Sequence, residues 1–107
     1  MTRAVGNRLA RKKIELDSGW TFLTNHAHVL LCIAKDPETR MRDIADLVGI
    51  TERAVQRVVA DLASAGYIRR SRRGRCNFYR VLANRPLRHP IEKHEQVKSL
   101  ISLVHSS

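Results

Sequence analysis

The stretch from Arg42 to Val81, RDIADLVGITERAVQRVVADLASAGYIRRSRRGRCNFYRV, decides the fold. Ile44, Leu47 and Val48 stand at i, i+3 and i+4, the spacing that lines one face of a helix, and Gly49 supplies a left-handed stop. Ile50 follows, and Thr51 is a good N-cap for a further helix that runs to Ala65 and is closed by Gly66. At about 100° per residue, Val55, Val58, Val59 and Leu62 gather on one side, with Ala54 and Ala65 at its edge. Arg53, Gln56, Arg57, Ala60 and Ser64 stand opposite. Two helices separated by three residues that include a glycine form a helix-turn-helix.

Beyond that helix, Tyr67 to Ser71 and Cys76 to Leu82 read as two short strands around Arg72-Arg73-Gly74-Arg75, a hairpin with Gly74 available for a positive φ. Alternation along the second strand sends Tyr79 and Val81 to the core and Phe78 and Arg80 to the other face, although the opposite facing is also open. Upstream, Thr24 and Asn25 can cap a first helix whose stripe is Val29, Leu30 and Ile33 and which ends at Asp36-Pro37. Downstream, after Pro86 and Pro90, Val97, Leu100, Ile101 and Val104 mark a last amphipathic helix. That helix either folds back on the first or pairs with a second copy across a two-fold axis, and pairing is the favoured expectation. The organisation expected is therefore a basic N-terminal arm over 1–18, a helix-turn-helix domain with its hairpin over 19–85, and a C-terminal dimerisation helix over 86–107.

Charge sharpens this division. The 107 residues carry 20 Lys and Arg against 10 Asp and Glu, a formal +10 that suits a polyanionic partner, either nucleic acid or an anionic membrane surface. Residues 1–20 hold +3 and residues 21–66 hold −1, while residues 67–90 contain eight Arg and no acid, and residues 91–107 are balanced. The excess therefore sits largely on the hairpin, and it is all arginine, whose planar guanidinium grips phosphate in two places or stacks on a base. Arg70, Arg72, Arg73 and Arg75 crowd into six residues there, a repulsion that costs stability unless anions lie close.

Other classes are disfavoured. The longest apolar run, Val29 to Ala34, is six residues, where a bilayer crossing needs about 20. No secretory signal is readable at the basic N-terminus, and a cytoplasmic, nucleoid-associated location is expected. Cys32 and Cys76 have no C-x-x-C partner, so they read as ordinary reduced thiols. The His28 and Cys32 pair, four apart on the first helix, reads as partial core burial rather than a metal site. No cofactor or metal is expected. With no phosphate-binding glycine loop, H-E-x-x-H or G-x-S-x-G motif, an enzyme is not expected either.

The order helix, short connection, helix-turn-helix and basic hairpin resembles the winged helix-turn-helix domain of small prokaryotic transcriptional regulators, broadly the MarR-like and ArsR-like superfamily. The pattern I-A-x-x-V-G-I-T-x-x-A-V, then D-L, G-Y-I and an R-x-x-G-R turn, carries the resemblance over about 60 of the 107 residues, with TNHAHVLLCIAKDPETRM before it as the first helix. It implies a mainly α fold with a small β-hairpin wing and an additional C-terminal helix. It also implies a regulator that binds double-stranded DNA as a homodimer, with the third helix (51–65) in the major groove and the wing (67–82) on the backbone or minor groove. On that resemblance Thr51, Arg53, Gln56 and Arg57 fall on recognition-helix positions, with Glu52 a doubtful neighbour, and Arg70, Arg72, Arg73 and Arg75 fall on the wing. Arg53 and Gln56 are the base-reading candidates, since both side chains can bond a base edge in two places. The alternative is a winged-helix module that meets a protein or RNA without reading a DNA sequence.

Overall fold

The computed structural model describes residues 19–105; the arm expected over 1–18 lies outside the described residues. Helix α1 spans Asn25–Lys35, α2 Met41–Val48 and α3 Glu52–Ser64; strands β1 (Ile68–Arg73) and β2 (Cys76–Val81) form an antiparallel hairpin, and α4 covers Val97–His105. This is a winged helix with an extra C-terminal helix, as the sequence implied.

Local chemistry sets the starts of α1 and α3 and the end of α2. Thr24 Oγ1 accepts the Ala27 amide at 3.1 Å to cap α1, and Thr51 Oγ1 accepts the Ala54 amide at 3.0 Å to cap α3. Helix α2 stops at Gly49, which takes φ +87 and donates its amide to Ala45 O at 2.8 Å. Only a residue without Cβ adopts that conformation freely, and it turns the chain from α2 into α3 within three residues.

One core unites the elements: Val29, Leu30 and Ile33 from α1, Ile44 and Ala45 from α2, Val55, Val58, Val59 and Leu62 from α3, with Ile68 and Val97. The α3 face is the one its periodicity defined. Helix α2 departs from expectation: its inward stripe is Met41, Ile44, Ala45 and Val48, and Leu47 is 52% exposed. The i, i+3, i+4 pattern admits two neighbouring stripes in so short a helix, and Met41 together with the small Ala45 fixes the other one against α3.

The C-terminal segment also differs. The helix begins at Val97, and residues 86–96 form a hook closed by backbone hydrogen bonds: Leu87 N to Glu95 O at 3.0 Å, Val97 N to Arg85 O at 2.9 Å and Lys98 N to Ala83 O at 2.9 Å. The Tyr67 hydroxyl donates to Pro86 O at 2.6 Å and ties the hook to the end of α3. Helix α4 folds back within the chain on α1. Val97 is fully buried, Ile101 packs on the core, and His105 Nε2 meets Leu31 O at 2.9 Å, while Leu103 and Val104 stay exposed.

Candidate nucleic-acid interface

The exposed side of α3 is built by elimination. Val55, Val58, Val59 and Leu62 are held in the core, so the helical repeat turns Arg53, Gln56, Arg57 and Ala60 to solvent, and all four are exposed. Glu52 sits in the exposed first turn. Thr51 is exposed as well, with its hydroxyl engaged in the α3 cap. The first two turns of α3 thus offer two guanidinium groups and a carboxamide, and among the described residues none of them has an ion-pair or side-chain hydrogen-bond partner.

The wing follows directly. Gly66 takes φ +86 and Tyr67 N bonds Leu62 O at 2.9 Å, which turns the chain out of α3 into β1. The register pairs Ile68 with Val81, Arg70 with Tyr79 and Arg72 with Asn77 on one face, and Arg69 with Arg80, Ser71 with Phe78 and Arg73 with Cys76 on the other. Arg73 opposite Cys76 leaves a two-residue turn, Gly74-Arg75. Gly74 has φ +63 and Arg75 has no positive φ, so the turn is of the primed kind that needs glycine first and matches the twist of a hairpin. Tyr79 and Val81 pack against the core and Ile68 is buried, so the inward facing expected for the second strand is the one adopted. Towards the tip the same face leaves the core, and Arg70 and Arg72 are exposed beside Arg75.

Among the described residues Arg73 is the wing arginine with an ion pair and a ring contact. Its guanidinium lies 4.8 Å from the Phe78 ring centroid, and its Nη1 is 3.7 Å from Glu38 Oε2 in the α1–α2 connection. Both partners in that ion pair are about three-quarters exposed (74% and 70%), so the pair is weak and exchangeable with a stronger anion. Tyr79 N bonds Pro37 O at 3.1 Å, so the α1–α2 connection runs along the free edge of β2 and steadies the wing.

Two arginines of this surface escape a reading based on the tip alone. Arg69 and Arg80 stand directly opposite each other on the outer face, both exposed and without an ion-pair partner among the described residues. The signal that identifies them is the register, which the two-residue turn fixes. Like charges directly opposite each other destabilise a hairpin, so the wing carries a second site of positive charge with no ion-pair partner among the described residues.

Residues 24–69 match the family of winged helix-turn-helix DNA-binding domains. The matched segment covers α1, α2, α3 and the first residues of β1, so it contains the whole helix-turn-helix and leads into the wing. No curated protein matches the chain. The matched family is described as DNA-binding, and the match supports DNA as the class of partner. Among the described residues no helix is long and apolar enough to cross a membrane.

The thiols occupy different surroundings. Cys76 is exposed at the end of the wing turn. Cys32 is partly buried against the core, and burial pushes its thiol above the ordinary value of 9.0.

Proposed function

We propose that the protein is a non-enzymatic, sequence-specific transcriptional regulator of the MarR-like and ArsR-like kind, cytoplasmic and nucleoid-associated. The observation that carries this reading is the pairing of the exposed donor face of α3 with a wing whose arginines have one acidic contact, Glu38, among the described residues, in the same short unit. Helix three (51–65) lies in the major groove, where Arg53 and Gln56 read base edges, Arg57 serves base or phosphate, and Thr51 holds the helix start in shape. Arg70, Arg72, Arg73 and Arg75 grip the backbone or the minor groove, and Arg73 exchanges Glu38 for phosphate.

A homodimer through the C-terminal helix reads a two-fold related site. Leu103 and Val104 are the exposed apolar side chains of α4 available to that contact once Val97 and Ile101 have turned inward. The unit 19–85 carries the DNA contacts, and 86–107 supplies the dimer element.

Selection from random duplex DNA at two salt concentrations tests the reading, with an enriched motif as the expected result. If a protomer neutralises about five phosphates, affinity falls roughly several hundred-fold between about 50 and 200 mM salt. Arg72→Ala, Arg73→Ala and Arg75→Ala together weaken binding to all duplexes alike, whereas Gln56→Ala shifts preference at one base pair. Retained affinity with no enriched motif, or tighter binding to RNA, favours the interaction-module alternative, and a flat salt response refutes the electrostatic account.

A further inference from the structure

A groove of about 280 Å³ opens between the first turn of α1, the C-terminal half of α3 and the stretch from Leu87 to Leu100. It involves none of the residues assigned to DNA. Its floor comes from the core itself: Leu30, Leu62 and Val97 are buried and Leu100 is half-buried. Its rim is charged. His26 Nε2 and Asp61 Oδ2 meet across the mouth at 2.8 Å, joining α1 to α3, and Arg88 and Glu92 stand exposed on the hook. Asp61 is engaged by His26, whereas neither Arg88 nor Glu92 has an ion-pair partner among the described residues.

Size, floor and rim together define what fits. Clefts that hold drug-sized molecules run from roughly 300 to 1,000 Å³, so this one suits a smaller body. The floor favours an aliphatic or aromatic group. Among the described residues the rim offers one cation, Arg88, and one anion, Glu92, without an ion-pair partner, which is the complement of a zwitterion. We propose that the groove is a binding site for a free apolar α-amino acid, with its side chain on the leucine-lined floor, its carboxylate on the Arg88 guanidinium and its ammonium on Glu92. Charge-assisted hydrogen bonds of this kind are the strong ones, and two of opposite sign select against molecules that carry a single charge. Because Asp61 and Leu62 belong to α3, the site lies on the helix that carries Arg53, Gln56 and Arg57, one to two turns further along.

The test uses the full chain without DNA, so it stands apart from the regulator reading. L-leucine and L-phenylalanine are titrated by calorimetry and by amide chemical-shift mapping, beside phenethylamine, which lacks the carboxylate, and 3-phenylpropanoate, which lacks the ammonium. Saturable binding of an amino acid is expected, with shifts at Leu62, Leu87 and Leu100, and affinity at least about tenfold lower for each single-charge analogue. Arg88→Gln and Glu92→Gln each lower amino-acid affinity by a similar factor. Their thermal midpoints stay unchanged because both side chains are exposed. The double variant Arg53→Ala, Arg57→Ala keeps amino-acid binding even if it loses DNA. Absence of binding by both amino acids, shifts confined to another surface, or equal affinity for the single-charge analogues overturns the proposal. So does protein-concentration dependence of the same groove resonances without ligand, which assigns the groove to a second copy of the chain.

Discussion

Thr51 shows how one side chain serves both fold and surface. Its hydroxyl satisfies the Ala54 amide at the start of α3, so Thr51→Ala is expected to cost about 1 kcal/mol, measured as a lower denaturation midpoint with unchanged slope. Gly66 is held by its backbone: a Cβ there would lie 2.9 Å from Arg85 Nη2, a flexible tip that can swing away, but φ +86 remains. Gly66→Ala therefore loses about 1–2 kcal/mol through conformation rather than through collision, and an Arg85→Ala background does not rescue it. Cys32 adds a pH signature. Burial raises its folded pKa above the unfolded value of 9.0, so the native state keeps the proton that the unfolded chain gives up. Stability from this group is intact below pH 9.0 and is lost as pH climbs from there through the raised folded value. Unfolding curves of Cys32→Ser compared with the parent across that alkaline window isolate the effect, and parallel curves would refute it. Single residues were legible in the sequence where their chemistry is local, as at Thr24, Thr51 and the turn glycines. Leu47 was misplaced because the choice between two overlapping stripes depends on what lies across from the helix.

At the scale of elements, α3 was the most readable part of the chain, since thirteen residues give the periodicity time to separate an apolar side from a polar one. The wing was readable as a hairpin, but its register came only with the two-residue turn, and the Arg69–Arg80 pair with it. The hook was not readable at all. The bonds that close it run between the backbones of residues 83–87 and 95–98, and backbone groups carry no residue identity. The contribution of α4, which the hook leads into, to the core has a direct measure: Val97 is 1% exposed, and Val97→Ala is expected to cost about 2 kcal/mol in lost burial and the cavity left behind. Leu103→Ala, at 76% exposure, changes monomer stability little and reports instead on self-association by analytical ultracentrifugation. If Val97→Ala proved as mild as Leu103→Ala, α4 would be an appendage rather than part of the core.

Across the whole molecule the charge is segregated. A helical body of nearly balanced charge carries a hairpin whose arginines have one acidic contact, Glu38, among the described residues. The helix-turn-helix and the polyanionic partner class were legible from this arrangement because both depend on counting and spacing. The groove beside α1 was not, because it is made by three segments far apart in sequence. If the wing grips phosphate as proposed, the facing arginines 69 and 80 are expected to give the unbound protein and its complex opposite responses to electrolyte. Added salt loosens a grip on phosphate by reducing the gain from releasing counterions. The same ions screen the mutual repulsion of the two guanidinium groups across the strands, since the screening length falls to about 8 Å near physiological ionic strength. Raising salt should therefore firm the free wing while it weakens the complex, and amide hydrogen exchange at Arg69 and Arg80 should slow. Ordering the wing before it meets its partner then becomes a property the surrounding electrolyte can set.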